Sequence, residues 1–152
     1  MVETLFHASA YSVLPFWFLM IFFPHVSFVK KIIASPWIIL PPTICYLIIL
    51  MPHLQESIIL FYKPSPTAVA AAMSQVWGAS LFWAYAGAFD LFVGRWIFLD
   101  AHKRRITFWL VSPIMFVCIL FGPLGFAIYG LLRLIYSLTQ KDTLTDSEDP
   151  SI

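Results

Sequence analysis

Charge is what this sequence has least of: only 11% of its 152 residues are Asp, Glu, Lys or Arg, against roughly a quarter in an ordinary soluble domain. A soluble fold built from this chain would have too little polar surface to face water. The 9 basic and 8 acidic residues leave a net charge of +1. The cations are scattered and form no stripe for phosphate contacts, so no nucleic-acid partner is expected. Cysteine is scarce as well. Cys45 and Cys118 sit inside apolar blocks and read as small buried hydrophobes rather than a disulfide or metal pair. The four histidines, His7, His25, His53 and His102, never pair at helical spacing, which argues against a histidine-box metal enzyme, and no metal is expected. Gly-x-Ser-x-Gly, Cys-x-x-Cys and phosphate-binding glycine loops are missing, and no internal repeat is evident. No Lys or Arg precedes the first apolar block, so that block is expected to be retained rather than cleaved as a signal peptide.

What fills the chain is hydrophobic residues, 61% of the total, in long blocks. A helix needs about 20 apolar residues to cross the hydrocarbon layer. Leu5–Phe23, Ile32–Met51, Ser74–Leu99 and Thr107–Tyr136 approach or exceed that. The expected fold is all-α, a polytopic membrane bundle of about four transmembrane helices over residues 1–140, followed by a disordered acidic tail over 141–152. Pro15 in the first span and Pro36, Pro41 and Pro42 in the second predict kinks. The fourth block is too long for one perpendicular crossing and should tilt, emerge or break near Gly122-Pro123-Leu124-Gly125, with a kink at Pro123 favoured. The segment from Pro52 to Pro66 suits an interfacial stretch closed by a proline-rich turn. With four spans, Lys30, Lys31, Lys103, Arg104 and Arg105 share one side and Lys63, Lys141 and Arg133 the other. Both termini are then expected to face away from the cytoplasm or its plastid equivalent.

The third span carries the information, because Asp90 and Arg95 lie within an otherwise apolar helix. Such residues are costly in lipid and must be compensated. At ~100° per residue, Asp90 shares a face with Val76, Ala79, Trp83, Ala86, Gly87, Gly94 and Ile97, a face whose small residues allow another helix to approach. Asp90 is therefore expected to point into the bundle. Phe82, Tyr85, Phe89, Phe92 and Trp96 form an aromatic stripe on the other side, suited to lipid or a long apolar ligand. Asp90 reads either as a helix-packing hydrogen-bonding group or as a catalytic or ligand-binding one. Arg95 and Asp100, near the basic loop, read as a snorkelling cation and a solvated carboxylate, or as parts of a polar site.

The run Asp90-Leu91-Phe92-Val93-Gly94-Arg95-Trp96 with Asp100, together with Phe121-Gly122-Pro123-Leu124-Gly125, resembles the abscisic acid-deficient-four-like membrane proteins. Plant members of that family are linked to making neoxanthin from violaxanthin. The likeness extends loosely from Leu5 to about Arg133. The resemblance implies a neoxanthin-synthase-like protein of photosynthetic membranes, placed in a thylakoid, plastid or bacterial inner membrane. It also implies a xanthophyll-epoxide isomerase chemistry that needs an acid and a base but no redox cofactor. On that basis Asp90 and Arg95 are the candidate catalytic pair, and Tyr85, Gly87, Gly94, Trp96, Asp100, Gly122 and Pro123 the candidate ligand-binding residues. The expected partners are membrane lipid and a carotenoid. One departure stands out: where the plant pattern has a histidine about a turn before the Asp, this chain has Tyr85. Two readings stay open, a carotenoid-modifying isomerase and a non-catalytic pigment- or lipid-binding scaffold or assembly protein.

Overall fold

In the computed structural model, which describes the backbone of residues 1–145 and side chains to residue 139, the chain is a bundle of α-helices. Helix α1 spans Val2–Phe22, α2 Ser27–Ala34, α3 Leu40–Leu50, α4 Leu54–Tyr62, α5 Pro66–Met73, α6 Val76–Arg104, α7 Phe108–Leu120 and α8 Gly122–Thr145. Two short 3₁₀ turns, Pro36–Ile39 and Met51–His53, join α3 to its neighbours. Three runs are long and apolar enough to cross a membrane: Val2–Phe22, Pro36–Tyr62 and Val76–Arg104. The expected acidic tail begins inside the last turn of α8, which continues to Thr145, and residues 146–152 lie outside the described residues.

The prolines act differently from expectation in the second run. Pro36 lies in the first turn of Pro36–Ile39, and Pro41 and Pro42 lie in the first turn of α3, where a helix has N–H groups to spare, so they start elements rather than kink one, as Pro52 does in Met51–His53. Of the stretch expected to lie at the interface, Pro52 to Pro66, the part up to Tyr62 joins the second apolar run. Pro15 and Pro113 do lie inside helices, α1 and α7. Ser65 caps α5 by accepting a bond from the Ala68 N–H at 3.1 Å. Helix α6 stops where Arg105 adopts a left-handed conformation, φ 57°. The Ile106 N–H closes back on the Ala101 carbonyl at 3.0 Å.

Helix α6 is the axis on which the rest is built. Helix α1 runs parallel to it: Phe6 meets Trp83, Val13 lies against Gly87, Trp17 against Gly94, and the Pro24 carbonyl bonds His102 at 2.9 Å. Helix α3 runs antiparallel, from Arg95 at Ile33 through Tyr46 at Tyr85 to His53 stacked on Trp77. The buried core gathers Val13, Trp17, Met20, Leu91, Ile97, Phe98, Val111, Met115, Cys118 and Tyr129 around this axis.

The fourth hydrophobic block joins the bundle in two limbs. It breaks at Phe121, φ −142° and ψ 73°, between α7 and α8, so Pro123 stands in the first turn of a new helix rather than at a kink. The break also reverses the chain. Phe108 starts α7 beside Phe98 and His102, Ser112 bonds the Ile21 carbonyl, and Gly122 reaches Asp90 at the midpoint of α6. From there α8 returns: Phe126 meets Trp96, Tyr129 bonds Asp100, and the Tyr136 hydroxyl bonds the Arg105 carbonyl at 3.4 Å. Each limb covers about 20 Å at ~1.5 Å per residue. The block is therefore a re-entrant hairpin that enters and leaves at the Arg105 end of α6.

This corrects the orientation drawn from four simple crossings. Arg133 and the described end of α8 now lie with Lys30, Lys31, Lys103, Arg104 and Arg105, leaving Lys63 at the other end with Met1. The charge asymmetry becomes sharper, and the rule that short basic loops stay inside places the α8 end, not the N-terminus, on the cytoplasmic or equivalent side. A membrane-impermeant thiol reagent tests the reversal. Cysteines introduced at Lys103 and Ser137 should label from one face and a cysteine at Lys63 from the other. Labelling of positions 63 and 137 from the same face would mean that α7 and α8 form a single crossing.

Candidate functional site

The candidate residues of α6 divide among three different environments. Gly87 and Gly94 face α1. A Cβ at Gly94 would overlap the Trp17 indole, and one at Gly87 would lie 3.8 Å from Val13 Cγ1. Gly94 makes room for α1 and is not open to a ligand, whereas Gly87 is half-buried beside Val13 with space for a side-chain carbon. The face assigned to Asp90 from sequence is buried only in part: Gly94 and Ile97 are buried, while Val76, Ala79 and Trp83 are exposed. The buried line is instead Gly78, Ala84, Leu91, Gly94, Phe98 and Ala101, spaced by three or four residues or by two such steps, as on one helix face. Asp90 sits at its edge and is half-buried.

Asp90 points at the tip of the hairpin. A Cβ on Gly122 would coincide with the Asp90 carboxylate, which would have to turn aside to admit any larger residue. The carboxylate lies at the first residue of α8, where unpaired N–H groups give a helix its partial positive charge. Among the described residues no side-chain hydrogen bond or ion pair reaches Asp90. Nearby, the Cys118 thiol donates to the Gly122 carbonyl at 3.7 Å. Gly122 is buried and Pro123 exposed.

Arg95 faces elsewhere. Its Nε donates to the Ile33 carbonyl at 2.9 Å and an Nη to the Ala34 carbonyl at 2.5 Å, closing the carboxyl end of α2. A guanidinium there satisfies carbonyls left unpaired by the helix end and meets its partial negative charge. The structure does not bring Arg95 to Asp90. Tyr85 is also apart from Asp90. It is exposed and lies with Phe89 and Phe92 along a shallow groove of about 260 Å³ against Ile39, Thr43 and Tyr46 of the second run. Four members of the aromatic stripe, Phe82, Tyr85, Phe89 and Phe92, are exposed as expected; Trp96 instead packs on Phe126 and Tyr129.

Asp100 is not a solvated carboxylate. Its Oδ2 accepts from the Tyr129 hydroxyl at 2.9 Å and from Arg104 Nε at 2.9 Å, and lies 3.4 Å from Arg133 Nε. The Arg133 guanidinium stands 5.3 Å over the Trp96 ring. Trp96 and Asp100 thus belong with Tyr129, Arg133 and Arg104 in a cluster that fastens α8 to α6. Sequence reasoning left Tyr129 unassigned and Arg133 as a loop cation. The Asp100–Arg104 spacing of four is a legible helix pair, but the part α8 plays depends on the chain reversal.

A family model described as ABA DEFICIENT 4-like matches residues 4–129, from the first turn of α1 to Tyr129. No curated protein and no solved structure matches the chain. The matched segment includes Asp90, Arg95, Asp100 and the Gly122-Pro123 turn.

The approach of Gly122 to Asp90 gives a direct test of the site's construction. Gly122→Ala should destabilise the protein by about 1–3 kcal/mol, the usual range for overpacking, read as a lowered melting temperature in detergent. Shortening the opposing side chain should relieve it, so Asp90→Ala with Gly122→Ala should cost less than the two changes summed. Additive losses would mean that the carboxylate does not lie against the turn.

Proposed function

The chain belongs to the ABA DEFICIENT 4-like family, and from that premise we propose that this integral membrane protein acts on the oxygenated end group of a carotenoid, isomerising a xanthophyll epoxide. Such a reaction opens one carbon–oxygen bond of a 5,6-epoxide, delivers a proton to that oxygen, and removes a proton from the neighbouring polyene carbon. Atoms and electrons balance without an oxidant or reductant. The protein must supply a proton donor at bilayer depth, a base, and a site from which water is excluded.

The observation that carries this reading is Asp90: a carboxyl group at the midpoint of α6, against the hairpin turn, with no side-chain hydrogen bond or ion pair among the described residues. The other two ionisable groups weighed for the site are engaged in holding the fold, Arg95 on α2 and Asp100 on α8. Asp90 is left as the proton donor. The exposed Tyr85, Phe89 and Phe92 offer a surface for a polyene alongside. Arg95 acts in this scheme by positioning α2, not by touching substrate.

The engagement of Arg95 and Asp100 also favours the second reading, a non-catalytic pigment-binding protein, because it leaves one ionisable group where the reaction needs two. Incubation of the purified protein with an epoxy-xanthophyll, followed by absorbance and chromatography, separates them. The enzyme yields an altered carotenoid, whereas the scaffold retains it unaltered.

Asp90→Asn keeps shape and hydrogen bonding but delivers no proton, so conversion should fall by about 10²-fold or more, the scale of general acid catalysis, while the protein stays folded. Full conversion by Asp90→Asn would remove Asp90 as the acid. Arg95→Lys should lower the melting temperature, since Lys lacks the fork that spans two carbonyls. It should leave conversion by the folded fraction unchanged.

A further inference from the structure

The cluster that fastens α8 to α6 uses its cations incompletely. All three contacts to Asp100 converge on one oxygen, Oδ2, and both arginines reach it through Nε. The Nη groups of Arg104 and Arg133, the broad ends of two guanidinium forks, make no hydrogen bond or ion pair among the described residues, although the Arg133 guanidinium also stands over Trp96. Both side chains are partly open, 32% and 38% exposed, while Asp100 is 13% exposed. Lys103 and Arg105 stand exposed at the same end of α6. Among the side chains described, which end at residue 139, Asp100 is the one carboxylate at this end, and Arg104 and Arg133 meet it. The site also has the depth of a membrane boundary, since it lies at the last turn of α6 with Trp109, 89% exposed, and Tyr136 nearby.

We propose that Arg104 and Arg133 form a headgroup site for an anionic phospholipid, whose phosphate takes the outward Nη groups while its acyl chains run toward the hairpin tip along the exposed Leu124, Phe126 and Leu131 of α8. Guanidinium suits this role because its planar fork binds two phosphate oxygens at once. A lipid is favoured over a soluble phosphate because apolar side chains continue from the cation pair along the same helix. A zwitterionic headgroup brings its own cation and gains less from the surplus positive charge. The site is distinct from Asp90 and holds whether or not the protein converts carotenoid.

Native mass spectrometry of the full-length protein released from mixed phosphatidylglycerol and phosphatidylcholine bilayers provides the test, with glycerol phosphate as the soluble arm. The wild type should retain phosphatidylglycerol selectively and should not bind glycerol phosphate at comparable concentration. Arg133→Gln and Arg104→Gln should each lower that selectivity by roughly fivefold, and Lys63→Gln, at the other end of the bundle, should leave it unchanged. Because Arg133→Gln also loosens the hairpin, Arg104→Gln, which leaves Tyr129 and Arg133 on Asp100, reads the site independently. Equal retention of the two lipids by the wild type would overturn the proposal, as would an equal loss in Lys63→Gln or binding of glycerol phosphate instead of lipid. So would selectivity that emerges only when Asp146, Glu148 and Asp149 are replaced by their amides, which would assign the cations to the chain's own acidic end.

Discussion

Within hydrocarbon every backbone N–H and C=O needs a partner inside the protein, and the reversal at Phe121 is where this chain comes nearest to violating that rule. The turn meets the requirement by local means. The Phe121 N–H closes α7 on the Val117 carbonyl at 2.8 Å, and its own carbonyl takes the Gly125 N–H at 3.0 Å. Pro123 contributes no donor, and the Cys118 thiol reaches the Gly122 carbonyl. Gly125 lets α8 leave beside α7, since a Cβ there would collide with the Cys118 backbone. Because the turn is closed in this way, its tip can rest on Asp90 at the middle of α6.

From this reversal follow the roles of the polar residues. Three ionisable groups on one helix, Asp90, Arg95 and Asp100, look from sequence like a single site. The fold sends them in different directions, to the turn before α8, to the end of α2, and to the side of α8. Two of them offset unpaired carbonyls or charges created by neighbouring elements, which is how a membrane bundle tolerates groups that would each cost several kcal/mol alone. Only Asp90 is left without such a duty, and that is why the functional argument narrows to it.

The same geometry relates the two ends of the hairpin. Its tip meets the candidate acid, and its base is fastened by Asp100, Tyr129 and Arg133 near the membrane boundary. A change in the base cluster alters how firmly α8 is held, and α8 carries Gly122 at its first residue. A headgroup bound at Arg104 and Arg133 would therefore act on the element that places the turn against Asp90.

The sequence by itself determined the all-α membrane bundle, because scarce charge and long apolar blocks permit little else in lipid. It also determined the placement of a carboxylate and a guanidinium within one helix, and marked Gly122 to Gly125 as the place where the last apolar block is interrupted, since proline and glycine act through the local backbone. It did not determine that the interruption is a break at Phe121 rather than a kink at Pro123. The exposed aromatic stripe was legible from helical periodicity. The direction the chain takes after the break was not, because hydropathy reads the same for a crossing and for a hairpin of equal length. Only tertiary structure decided that α8 turns back. It thereby moved Arg133 to the other side of the bundle, gave Asp100 its partners Tyr129 and Arg133, and separated Asp90 from Arg95. Periodicity along a helix says which residues share a face, but the partner of that face is fixed by how distant segments pack.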